Sequence, residues 1–180
     1  MADTKINRTW AMANKNTFSV KPVGQFVKKY LRKSKVSVDP FARDKGWATW
    51  TNDLNPKTGA RFHMDSIDFL QMLTNQGVVA DLVLFDPPYS PRQIKECYDG
   101  IGKKMEQLDA MRTNWMRERD LIHEILAPKG IVLSFGWNSM GMGNGRGYDI
   151  LEILMVCHGV GHNDTICMAE QKVQHQVRMF

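Results

Sequence analysis

Between Asp81 and Asp86 the chain runs Leu-Val-Leu-Phe without a break, and two prolines and a tyrosine follow at once. A short apolar run with no polar alternation suits a strand covered on both faces, as in a parallel sheet sandwiched by helices. Proline cannot donate to a ladder, so the strand must stop at Asp86. A carboxylate and an aromatic ring are thereby left at a strand's carboxyl end, which is where open α/β sheets hold their ligands.

The rest of the chain fits that frame. Val23, Phe26, Val27, Tyr30 and Leu31 recur at helical spacing behind Pro22. KVSVDPF (35–41) predicts a strand stopped by Asp39-Pro40, GWATWTNDLNP (46–56) a second, and Arg61 to Met64 a third. Asp65 and Ser66 then cap a helix carrying Ile67, Leu70 and Leu73. After the 80–85 strand, Met105, Leu108, Met111, Trp115, Ile122, Ile125 and Leu126 predict one long amphipathic helix. GIVLSF (130–135) predicts a strand that enters the glycine-rich loop GWNSMGMGNGRG, and Ile150–Cys157 and Thr165–Ala169 predict two closing strands. Alternating strands and helices define an α/β chain with a Rossmann-like, doubly wound, mostly parallel sheet.

At 180 residues, 43% hydrophobic and 24% charged, the chain can bury the core of one domain and is short for two. No apolar run is long enough to span a bilayer, and no hydrophobic segment follows the first charges, so neither a membrane anchor nor a secretory leader is expected. Cys97, Cys157 and Cys167 are odd in number and lack C-x-x-C spacing; they read as reduced thiols of a cytoplasmic protein. The histidines lack ligand spacing, and no metal site is expected. Residues 1–35 hold nine Lys and Arg against Asp3 alone, a local charge of +8 within a total of +5, which leaves the remainder at −3. A one-sided basic segment is the footprint of a polyanion, although a solvated helix face gives the same pattern.

Asp39, Asp53, Asp65 and Asp86 each fall at the carboxyl end of a predicted strand. Any one of them fits a turn or a helix cap. Four on one rim suit a nucleoside bearing a charged amine: acids can accept from ribose hydroxyls and from an exocyclic amine, and can face an ammonium.

DPPY (86–89) after a hydrophobic strand resembles the catalytic motif of the amino-methyltransferases, which methylate exocyclic nitrogens with S-adenosylmethionine. VDPFA (38–42) is similar to that family's cofactor motif, and NTFSVKP (16–22) to its N-terminal cofactor-binding element. TND (51–53) and HMD (63–65) fall where the family places its ribose-binding and adenine-binding acids. The likeness spans about residues 14–136 and is greatest to the small adenine-specific DNA methyltransferases of phages and prophages. One departure stands out: Arg43, Asp44 and Lys45 intervene where family members commonly carry glycines, and an arginine is not expected to allow the same close approach to a ligand.

What the resemblance implies is a single domain of class I methyltransferase type. A basic segment (1–35) would carry the cofactor-binding element, and a helical insertion (90–128) would follow the catalytic motif. Asp86, Pro87, Pro88 and Tyr89 would be catalytic. Asn16, Thr17, Phe18, Asp39, Pro40, Phe41, Ala42, Asp53, Leu54, Asp65, Ser66 and Asp86 would hold S-adenosylmethionine, which leaves as S-adenosylhomocysteine. Asp86 and the Pro87 carbonyl would accept both amino hydrogens of a flipped adenine, with Tyr89 as its stacking face. The basic N-terminal stretch, Arg92, Lys95, Lys103, Lys104, Trp137 and the loop around Arg146 are the candidate DNA contacts. No separate target-recognition domain fits, so a short recognition sequence or a homodimer is expected, in a bacterial or phage-infected cell. The same turn could instead present an amine of cytosine, of RNA or of a glutamine side chain. An inert subunit of this fold that binds nucleic acid is the non-enzymatic alternative.

Overall fold

A computed structural model describes residues 3–44, 46–102, 115–143 and 145–173. The strands are β1 (Lys5–Trp10), β2 (Ser37–Asp39), β3 (Trp50–Thr51), β4 (Ala80–Phe85), β5 (Leu126–Gly136), β6 (Tyr148–Cys157) and β7 (Thr165–Lys172). The helices are α1 (Lys21–Leu31), α2 (Ser66–Asn75), α3 (Pro91–Gly100) and α4 (Met116–Ile125), with a 3-10 turn at Thr17–Ser19. The strands form one sheet in the order β1-β6-β7-β5-β4-β2-β3. All neighbours are parallel except β7, which runs antiparallel to β5 and β6. The carboxyl ends of six strands therefore share a rim with the amino end of β7.

The central strand explains the two-layered core. Along β4 the side chains alternate between faces. Val83 and Phe85 pack with Phe69, Leu70, Leu73, Leu121, Ile122 and Val132, the face covered by α2 and α4. Leu82 and Leu84 pack with Val23, Phe26, Val27, Leu133 and Val156 under α1. Each of these residues is at least 95% buried, which is why the run carries no polar alternation.

Three expectations change. Residues 61–64 form no strand: Phe62 makes one parallel bridge to Asn52. The buried Asn52 amide takes over the ladder's role, donating to the Pro40 and Met64 carbonyls (3.2 and 3.0 Å) and accepting from Met64 N–H (3.1 Å). The expected long helix is interrupted: α3 ends at Gly100 with Gly102 left-handed just beyond it (φ 71°), and α4 begins only after Trp115, itself left-handed at φ 49°. Met105, Leu108 and Met111 lie outside the described residues, as do Lys103 and Lys104. β1 was not anticipated, because KINRTW has no apolar alternation and is exposed along one edge. It is held by parallel pairing with β6 and by Asn7 donating to the buried Glu152, which also accepts from Lys29 and from Tyr30 Oη.

Candidate active site

Every loop on the shared rim opens into one cavity of about 660 Å³. Lys15, Asn16 and Thr17 reach it after β1, Pro40, Phe41 and Arg43 after β2, and Asp53 and Leu54 after β3. Asp65 and Ser66 enter from the start of α2; Asp86, Pro87, Pro88 and Tyr89 from the end of β4. Trp137 follows β5, while His158 and Thr165 come from the β6–β7 connection. A side hollow of about 30 Å³, between the 16–18 segment and the loop after β2, adds Phe18, Ala42 and Trp47 to walls shared with the cavity.

Asp39 stands apart. It is fully buried beneath the Pro40–Phe41 floor and lines neither space. One carboxylate oxygen accepts from Phe41 N–H (3.0 Å), and the other, Oδ2, has no partner among the described residues. Burial pushes its carboxyl up to about 8; the Phe41 N–H pulls the other way, and the charges of Asp86 and Asp53 add to the rise. Asp53 accepts from the backbone N–H groups of Arg43 (3.0 Å) and Asn55 (2.8 Å), leaving about two of its four acceptor positions for a ligand. Asp65 caps α2 by accepting from Ile67 N–H (2.9 Å). Ser66 beside it donates to the buried Glu118 of α4 (3.1 Å).

Asp86 accepts at Oδ1 from Tyr89 Oη, and the Thr17 hydroxyl of the N-terminal segment lies nearby. Burial raises its carboxyl above the usual range, against which both hydroxyls and the nearby Arg43 charge act. The Tyr89 ring meets Trp137 edge-on, centroids 5.6 Å apart at 62°, so the two make a corner rather than a stack. Phe41 lies over Trp115 (5.4 Å, 76°), giving the Asp65 end an aromatic wall. Phe18 turns away from the main cavity, packing on Phe135 (5.0 Å) and Trp47 (5.8 Å).

The loop bearing Trp137 is fixed from behind. The buried Glu170 accepts from Met142 N–H (3.0 Å) and Ser134 Oγ (3.1 Å). Gly141, at φ 52°, passes so close to that carboxylate that a Cβ would lie 2.3 Å from it, so a side chain there would have to displace Glu170. Arg146 completes the anchorage, donating to Asp120 (2.7 and 2.9 Å) and to the Met142 carbonyl (2.8 Å). Arg92 and Lys95 point outward on α3, paired with Glu96 and Asp99. These three basic residues lie outside the cavity lining.

Sequence reasoning passed over the β6–β7 side of the cavity. His158 is buried there, its Nδ1 against the Ala11 carbonyl (2.7 Å) and its Nε2 against Thr165 Oγ1 (2.8 Å). A carbonyl can only accept, so Nδ1 carries a proton. No spacing rule reveals this, because Ala11 and His158 meet only through β1–β6 pairing.

The strand order, the single antiparallel β7 and a cavity at the strands' carboxyl ends define the class I, Rossmann-like methyltransferase fold. No protein-family model matches the chain, and no curated protein sequence is similar to it. Among solved structures the chain is similar to TrmN from Thermus thermophilus (TM-score 0.57, 12% identity), which covers 88% of this chain. It is similar also to yhhF from Escherichia coli (0.53, 12%, 90% of this chain) and to an S-adenosylmethionine-dependent methyltransferase from Agrobacterium tumefaciens (0.50, 15%, 83%). This chain spans 50% of the TrmN chain, 89% of yhhF and 60% of the Agrobacterium protein. At such identities the likeness is one of fold.

Proposed function

We propose that the chain transfers a methyl group from S-adenosylmethionine to the exocyclic amino nitrogen of adenine in DNA. The observation that carries this reading is one continuous cavity lined by the acids Asp53 and Asp65 together with Asp86-Pro87-Pro88-Tyr89 and Trp137. The residues fit the donor. Asp53 retains acceptor capacity for ribose hydroxyls, Phe41 and Trp115 give an apolar wall for a purine, and Asp86 brings negative potential to where a sulfonium would sit.

When bound, S-adenosylmethionine supplies an electrophilic methyl carbon and leaves as S-adenosylhomocysteine. The remaining work falls to the protein. An exocyclic amine is a poor nucleophile because its lone pair is delocalised into the ring. Asp86 and the Pro87 carbonyl accept its two hydrogens, turning the nitrogen toward tetrahedral geometry and freeing the lone pair. The prolines restrict the turn that aims that carbonyl. Asp86 is the nearest base for the proton the nitrogen sheds. Tyr89 and Trp137 form the corner that holds the heterocycle, a contact of about 1–3 kcal/mol per stacked base. A paired adenine reaches this corner only by leaving the duplex. Most of the acceleration comes from holding amine and methyl in one near-attack pose.

The test is incubation with isotopically labelled S-adenosylmethionine and DNA, followed by nucleoside mass spectrometry. Label in N6-methyladenine is expected. Label confined to cytosine, to RNA or to a protein glutamine would move the substrate, and no incorporation from a bound donor would remove the activity.

A further inference from the structure

Arg43 carries the one sequence departure that spoke against a working cofactor site, and its geometry reverses that argument. Its backbone takes φ 51°, the left-handed conformation a glycine would supply at this turn, so the loop keeps its shape without one. Non-glycine residues held there cluster at ligand clamps. The conformation is fixed by its own N–H donating to Asp53 (3.0 Å). The side chain then crosses to the N-terminal segment, where Nη1 donates to the Lys15 carbonyl (2.5 Å). The other guanidinium N–H groups have no acceptor among the described residues. Arg43 lines both the main cavity and the 30 Å³ side hollow, which has room for about two waters, the size of a carboxylate group. Its positive charge favours the ionised forms of Asp86 and Cys97.

The rim is otherwise strongly acidic. Asp44, Asp53, Asp65, Asp86 and Glu96 all line it, with Lys15 and Arg43 as the lysine and arginine among its described residues. With a nucleoside lying toward Asp53 and Asp65 and the reacting carbon at Asp86, the donor's third arm leads toward residues 14–17 and Arg43. We infer that Arg43 is the carboxylate clamp of the site, gripping the amino-acid arm of the methyl donor with its planar fork. This rests on the proposal that the cavity takes S-adenosylmethionine. A guanidinium suits the task because it presents paired donors to both carboxylate oxygens, which an ammonium does not.

The experiment titrates the full chain calorimetrically with S-adenosylhomocysteine and with 5′-methylthioadenosine, which keeps the adenosine and thioether but replaces the amino-acid arm by a methyl. Arg43→Gly is the informative variant, because glycine relieves the left-handed backbone and preserves the N–H to Asp53, and a melting curve confirms that it folds. Arg43→Gly should weaken S-adenosylhomocysteine about 10- to 100-fold, leave 5′-methylthioadenosine within about twofold, and abolish the wild-type preference between them. Arg43→Lys should fall between the two, and Lys15→Ala should weaken S-adenosylhomocysteine less than Arg43→Gly does. Equal losses for both ligands, no loss, a wild-type chain that does not distinguish the ligands, or a loss confined to Lys15→Ala would each overturn the clamp while leaving the cofactor reading intact. A wild-type chain that binds neither ligand would overturn both.

Discussion

Asp86 is asked to accept from an amine while already accepting from the Tyr89 hydroxyl, and this fixes how the two residues should respond to mutation. Asp86→Ala should abolish methyl transfer while leaving S-adenosylhomocysteine binding measurable by titration; near-wild-type turnover would refute its role. Tyr89→Phe keeps the ring and removes one donor to the carboxylate. Hydrogen bonding to the charged form lowers a carboxyl's pKa, so losing it raises that of Asp86. Activity needs the ionised form, and the acidic limb of the pH–rate profile should move to higher pH. An unmoved limb would show that the hydroxyl does not tune Asp86. Asp39 bears on stability. Because its carboxyl is raised to about 8 when folded, the folded state holds the extra proton. Its stabilising contribution is complete below the unfolded pKa and is lost as pH rises to about 8, at a slope of up to about 1.4 kcal/mol per pH unit. Asp39→Asn should flatten the fall in ligand-free melting temperature across that window. An identical slope in the variant would exclude Asp39 as its source.

Among the elements, α3 falls inside the helical stretch expected at 90–128, and its start is written in the chain. SPRQ (90–93) follows the pattern of a capping box. Ser90 Oγ accepts from Gln93 N–H (3.3 Å), Pro91 occupies the first turn, and the Gln93 side chain reaches back to Tyr89 N–H (2.6 Å). The cap therefore orders the Asp86–Tyr89 turn as well as the helix. Ser90→Ala should cost about 1 kcal/mol in denaturant unfolding, and amide exchange should quicken at Tyr89 and along the first turn of α3. Exchange that quickens at neither place would separate cap from turn. β2 and β4 were legible for a different reason: both are stopped by Asp-Pro, and β4 is a buried apolar run, so local chemistry and tertiary burial agree. For β1 and for residues 61–64 the deciding bonds are to distant partners, β6 in one case and the Asn52 side chain in the other.

Across the whole molecule the basic N-terminal segment is divided by the direction of α1. The helix starts at the cavity, where Val20 lines the wall, and ends at the opposite rim, where Ser34 and Lys35 N–H bond Asp81 at the start of β4. Arg32, Lys33 and Lys35 are exposed there, a full strand length from Asp86. A duplex engaged at the cavity mouth would not touch them. Replacing all three by glutamine should leave DNA affinity at 150 mM salt within about threefold, whereas three lost phosphate contacts would weaken it at least tenfold and flatten the salt dependence. The larger loss would mean that nucleic acid wraps the far rim.

By itself the sequence determined the class of fold and placed acids at strand ends, because both follow from short-range chemistry. An uninterrupted apolar run must be covered on both faces, and proline must end it. Only the tertiary structure decided which acids face the cavity, sinking Asp39 under the floor while Asp53, Asp65 and Asp86 open into the space. It alone seated Arg43 in a glycine's conformation and brought His158 against Ala11. Those outcomes depend on how seven strands pair across the chain, and pairing between distant segments is set by collective burial that no local pattern records.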